Sequence, residues 1–110
     1  MKPALTKERI DRAFDAAARA FEVPRRAVAS RARSAAIARA RLAVYAALYR
    51  GCETSYLEIA RGIGRDHSTI ISGVSRAEDM ARADEDYADR VRAIMRHALY
   101  GSPAQIGWAA

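Results

Sequence analysis

The sequence predicts an all-α fold, a small helical domain that contains a helix-turn-helix. Three observations point there. Alanine supplies much of the hydrophobic half of the chain, aromatic residues are few and there are only 3 prolines, a balance that favours helices over strands. Apolar residues recur at steps of three and four through most of the sequence, which lines them along one face of a helix. Two such stretches are joined by the short run Gly62-Ile63-Gly64, the tight connection that a helix-turn-helix uses.

The first helix is predicted from Thr6, whose hydroxyl suits an N-cap, with Ile10, Phe14, Ala17 and Phe21 turned inward. Val23-Pro24 breaks it, and one short helical turn follows where the missing N–H of Pro24 costs nothing. Arg31 to Arg33 reads as extended and basic. A second long helix runs from about Ser34 to Arg50 with Ile37, Val44, Tyr45 and Leu48 inward, and Gly51 is expected to end it. Ser55 and Glu58 have the spacing of a capping box. They start a shorter helix anchored by Ile59 and Ile63, which the two glycines stop.

Asp66 or His67 opens the next helix, predicted to about Met80, with Ile70, Ile71, Val74 and Ala77 toward the core and Ser68, Ser72, Ser75 and Arg76 away from it. A last helix from about Asp84 to Tyr100 repeats the spacing at Tyr87, Val91, Ile94 and Ala98. Residues 1–100 are therefore read as one helix-turn-helix domain, with its motif at about 55–80. Residues 101–110 are read as a flexible C-terminal tail, in which Ile106 and Trp108 are able to dock back.

Net charge is +6, and nearly all the basic residues are arginine, whose planar fork suits phosphate and guanine edges. The charge is uneven. Between Arg25 and Arg76 it sums to +7, and from Ala77 to Ala110 to −2, so the basic stretch coincides with the helix-turn-helix. Cys52 is the one cysteine, which excludes an internal disulfide and fits a reducing compartment. It sits beside Gly51 where exposure is open, and nothing but Arg50 nearby marks it as reactive. With 2 histidines, of which His97 reads as a packed or solvated side chain, no metal is expected. No stretch has the length and apolarity of a membrane span or signal peptide.

The chemistry concentrates in Gly64-Arg65-Asp66-His67-Ser68-Thr69, because side chains of a helix's first turn project past its end. In a major groove Asp66 can accept from a cytosine amino group, His67 can meet a thymine methyl or a base edge, and Ser68 or Thr69 can reach base or phosphate. The competing reading makes Asp66 an N-cap and nothing more. A hydrolytic triad is excluded, since neighbouring helical residues point roughly 100° apart.

Ala38-Arg39-Ala40-Arg41-Leu42-Ala43-Val44-Tyr45, then Ser55-Tyr56-Leu57-Glu58-Ile59-Ala60, then Gly64-Arg65-Asp66-His67-Ser68-Thr69-Ile70-Ile71 stand in the order of one known module. The set resembles the C-terminal DNA-binding domain (domain IV) of the bacterial chromosomal replication initiator, DnaA, over roughly residues 6–97. The resemblance implies a Trp-repressor-like helical fold and double-stranded DNA as the partner. By the same resemblance Asp66, His67 and Ser68 contact bases, Arg33 enters the minor groove, and Arg65, Thr69, Arg41, Arg31 and Arg39 contact phosphate.

The chain departs from the family at Ile63-Gly64, where paired glycines and one more turn residue are usual, at Leu42 in place of glutamine and at Ala60 in place of glycine. These positions bear on which DNA sequence is preferred. The Gly-x-x-x-x-Gly-Lys-[Ser/Thr] phosphate loop of the initiator's ATPase has no counterpart in the 110 residues. The expectation is therefore a stand-alone bacterial or phage-borne regulator of replication initiation or transcription, cytoplasmic and nucleoid-associated. It is expected to be no enzyme and to take no cofactor, metal or small-molecule substrate. The replication initiator or a second copy of the chain are further partners to consider. The rival reading is a protein-interaction module that binds the initiator or another regulator without specific DNA contact. An RNA binder would present exposed stacking aromatics, and the 5 tyrosines fall mostly on core-facing positions.

Overall fold

The computed structural model describes residues 1–101; the predicted tail, with Ile106 and Trp108, lies outside the described residues beyond Gly101. Six helices follow in order: α1 (Lys7–Phe21), α2 (Arg25–Ala29), α3 (Ala35–Gly51), α4 (Tyr56–Ile63), α5 (His67–Ala83) and α6 (Glu85–Tyr100). Among the described residues no helix is long and apolar enough to cross a membrane. The chain entering α1 touches the α3–α4 connection, where the Glu53 amide donates to the Pro3 carbonyl at 2.7 Å.

Local chemistry sets the helix starts. Thr6 Oγ1 accepts from the Arg9 amide at 3.2 Å, and Ser34 Oγ accepts from the Ile37 amide at 3.4 Å. Pro24 precedes α2 in an extended conformation, and its carbonyl accepts from the Ala27 and Val28 amides. Asp84 stands between α5 and α6, and its carboxylate accepts from the Asp86 and Tyr87 amides. At α4 both halves of the capping box close. The Glu58 amide donates to Ser55 Oγ at 3.1 Å, and the Ser55 amide donates to Glu58 Oε1 at 3.0 Å. With only 8 residues, α4 is too short to persist on propensity alone. Ser55→Ala is therefore expected to lower stability by about 1 kcal/mol, read as a lower urea midpoint at unchanged slope. An unmoved midpoint would show that packing alone holds α4.

The centre of the fold is α3, which packs against α1, α5 and α6. Leu42 through Leu48 are buried without interruption, so this helix has no solvent face over two turns. Ile10, Phe14 and Ala17 of α1, Ile59 of α4, Ile70, Val74 and Ala77 of α5, and Tyr87, Val91, Ile94 and Ala98 of α6 close around it. Phe21 is half-buried and meets the Tyr87 ring at 5.7 Å.

Several expectations are corrected. Ile37 is half-exposed rather than core, because it precedes the stretch where α3 is enclosed. Ile71 is exposed at 40%; the core side of α5 is taken by Ile70, Val74 and Ala77. Gly51 does not stop α3 but is its last helical residue, with Cys52 as the cap. Its value is space, since a Cβ there would meet Met95 Cγ at 2.7 Å. Gly62 lies within α4, and only Gly64 ends that helix. Cys52 is buried, and burial raises its thiol pKa. His97 is buried in α6. Of the tyrosines, Tyr45 and Tyr87 are buried, Tyr49 and Tyr56 are half-buried and stacked on one another, and Tyr100 is exposed.

Candidate nucleic-acid interface

Gly64 adopts a left-handed conformation, φ 81°, that residues with a Cβ rarely take. In it the Gly64 and Arg65 amides both return to the Ala60 carbonyl, at 2.8 and 3.0 Å. One left-handed glycine thus completes the turn. Asp66 then extends, φ −69° and ψ 146°, and launches α5.

Asp66 occupies the N-cap position, yet its side chain makes no capping hydrogen bond. The reading of this residue as a cap and nothing more has no bond to rest on, and the carboxylate is exposed. His67, Ser68 and Thr69 are exposed on the first turn of α5. Ile71 and Ser72 continue that outward face, and Arg76 lies one turn further on. Ile71 places an apolar group among polar ones, next to His67 and Ser68 by helical spacing.

A depression of about 580 Å³ lies between α3, the segment after α2 and α5. Arg31, Arg41, Arg65 and Arg76 line it, together with Asp66, Ser68, Thr69 and Ser72. Ala38, Leu42, Tyr45 and Gly73 form its apolar wall. Arg33 follows Arg31 in the same segment and is exposed.

Two of these arginines also build the site. Arg41 donates from Nε to the Val28 carbonyl at 3.0 Å and from Nη2 to Ala27 at 3.2 Å. Arg65 Nη2 donates to the Ala29 and Ser30 carbonyls at 3.1 and 2.8 Å. Carbonyls at the end of α2 are thus met by side chains from α3 and from the turn. The basic segment is thereby tied to the helix-turn-helix. Burial lowers the pKa of Arg41, Tyr45 opposes that shift, and Arg65 adds to it. Like every arginine in a folded protein, Arg41 keeps its charge.

The arginines of this face pair with no acid, as is also true of Arg9, Arg19, Arg26, Arg61 and Arg96 among the described residues. Arg12, Arg25, Arg50, Arg82, Arg90 and Arg92 each pair with an acid. Among the described residues Arg31, Arg33, Arg41, Arg65 and Arg76 have no acidic partner, so their charge stays available to an anion.

Arg39 is not brought to this face. Its guanidinium pairs with Asp84 at 3.6 Å and lies over the Tyr87 ring at 5.2 Å. It thus belongs to the junction where Asp84, Glu85 and Asp86 cluster. The sequence places Ser72 and Arg76 outward without marking them as site residues, although the spacing 69, 72, 76 along one face of α5 would find both.

A short helix, a glycine turn and a longer helix with an outward polar first turn, beside unneutralised arginines, define a helix-turn-helix domain of the DNA-binding kind. Residues 10–77, more than half of the chain, match the family described as the bacterial DnaA protein helix-turn-helix. The chain belongs to that family, whose helix-turn-helix binds double-stranded DNA. No curated protein matches the chain significantly.

Proposed function

We propose that residues 1–100 act as one domain that binds duplex DNA sequence-specifically, with α5 in the major groove. The observation that carries this is the exposure of Asp66 through Thr69 at the mouth of a depression lined by four arginines, none of them in an ion pair among the described residues. Asp66, His67 and Ser68 read base edges, and Ile71 packs on thymine methyl groups. Arg33 reaches the minor groove from the extended segment. Arg31, Arg41, Arg65, Thr69 and Arg76 hold phosphates and fix the register of the protein on the duplex. Arg39 receives no contact in this reading, because Asp84 already holds it.

The sites are initiator-box-like, and by occupying them the protein regulates replication initiation or transcription. Selection from a random duplex pool tests the proposal and is expected to enrich one short motif related to the initiator box. Affinity for it should fall as salt rises, with a log–log slope of about −0.9 for each phosphate neutralised. A pool without enrichment, together with affinity that ignores salt, would overturn it in favour of a protein-interaction module.

A further inference from the structure

Tyr45 is 1% exposed, and its hydroxyl has no hydrogen-bond partner among the described residues. The other fully buried phenol behaves differently: Tyr87 Oη donates to the Arg39 carbonyl at 2.8 Å. A buried hydroxyl left unpaired is costly, whereas phenylalanine would fill the same space without that cost. The cost needs a reason.

Position supplies one. Tyr45 lines the depression, and its ring lies against Gly73 of α5, where a Cβ would come within 2.7 Å of the ring. The charged neighbours on that wall are Arg31, Arg41, Arg65 and Arg76, which carry donors and no acceptors, and Asp66, which makes no hydrogen bond to the phenol. The phenol reaches none of the acceptors around it, and an anion with several oxygens would serve it and the guanidinium groups together. Arg41 and Arg65 are held in place through the α2 carbonyls and keep further N–H groups for such an anion.

We propose that Tyr45 Oη donates a hydrogen bond to a backbone phosphate of the bound duplex, at a site completed by Arg41 and Arg65. This rests on the duplex-binding reading above and adds a neutral donor to its phosphate contacts. The phosphate oxygens enter between the guanidinium groups, and the phenol meets them from the wall of the depression.

Tyr45→Phe tests it. The free variant should melt at the same temperature as the parent or higher, since an unpaired hydroxyl is removed. Its affinity should fall roughly ten-fold or more, equally on selected and random duplexes, because phosphate carries no sequence. Unchanged affinity would overturn the proposal and leave Tyr45 a packing residue. In duplexes carrying single neutral methylphosphonates, one position should weaken the parent more than it weakens Tyr45→Phe, in which Arg41 and Arg65 alone still meet that phosphate. Equal additional losses in both proteins at every position would also overturn it.

Pyrophosphate separates the source of the phosphate from the site itself. Should the parent bind no duplex, the proposed function fails on its own. Thermal stabilisation by pyrophosphate that Tyr45→Phe lacks would then still support a phosphate site, and no stabilisation in either protein would overturn that as well.

Discussion

His67→Ala is expected to weaken binding to the selected duplex by about 1–3 kcal/mol, roughly five- to a hundred-fold, while random duplexes bind nearly as before. The side chain is exposed on the first turn of α5, so its loss costs the fold little and the effect reports on recognition. Asp66→Ala should behave in the same way, since its carboxylate makes no cap bond whose loss would shorten the helix. Arg65→Ala makes the contrast. That guanidinium holds the Ala29 and Ser30 carbonyls, so its removal frees the segment carrying Arg31 and Arg33 as well as one phosphate contact. Its loss should be at least as large and fall alike on every duplex. Fluorescence anisotropy of both duplex types at one fixed salt concentration measures all three variants. Equal losses on selected and random DNA for His67→Ala and Asp66→Ala would remove the base-reading role of this turn.

Much of this arrangement is legible in the chain because it depends on neighbours in sequence. The caps at Thr6 and Ser55, the apolar stripes of α1 and α6, and the outward run from Arg65 to Thr69 each follow from spacing within a turn or two. What escaped depends on surroundings that spacing does not encode. α3 is enclosed by three helices, so burial from Leu42 to Leu48 erases the periodicity that would have shown Ile37 to lie outside. Ile71 is apolar yet outward, because Ile70, Val74 and Ala77 already take the core side of α5. Arg39 and Arg41 look equivalent in a basic run, but a turn of about 200° between them sends one to Asp84 and the other to the end of α2. The joint hold of Arg41 and Arg65 on α2 is likewise hidden, since it passes through carbonyl groups that every residue carries.

Gly73→Val is expected to cause a clear loss of stability, although it replaces a glycine inside a helix. Glycine inside a helix ordinarily costs about 1 kcal/mol relative to alanine, so propensity alone predicts that filling Gly73 would help. Packing reverses the sign. A Cβ at 73 would stand 2.7 Å from Tyr45 Cδ2 and 3.0 Å from Leu42 Cδ2, and Tyr45 Cδ2 belongs to a buried, rigid ring rather than to the free end of a flexible side chain. Overpacking of this kind costs about 1–3 kcal/mol, and the two methyls of valine place the cost at the upper end. Gly62→Ala is the control, because there the atom in the way is Ile10 Cδ1, the free end of a flexible side chain. Its urea midpoint should stay close to the parent's while that of Gly73→Val falls clearly. Duplex affinity should fall with it, since α5 relieves the clash by moving off α3 and spreading the arginines that line the depression. A Gly73→Val protein as stable as the parent would mean that the two helices are not held together by the close approach of this glycine to Tyr45.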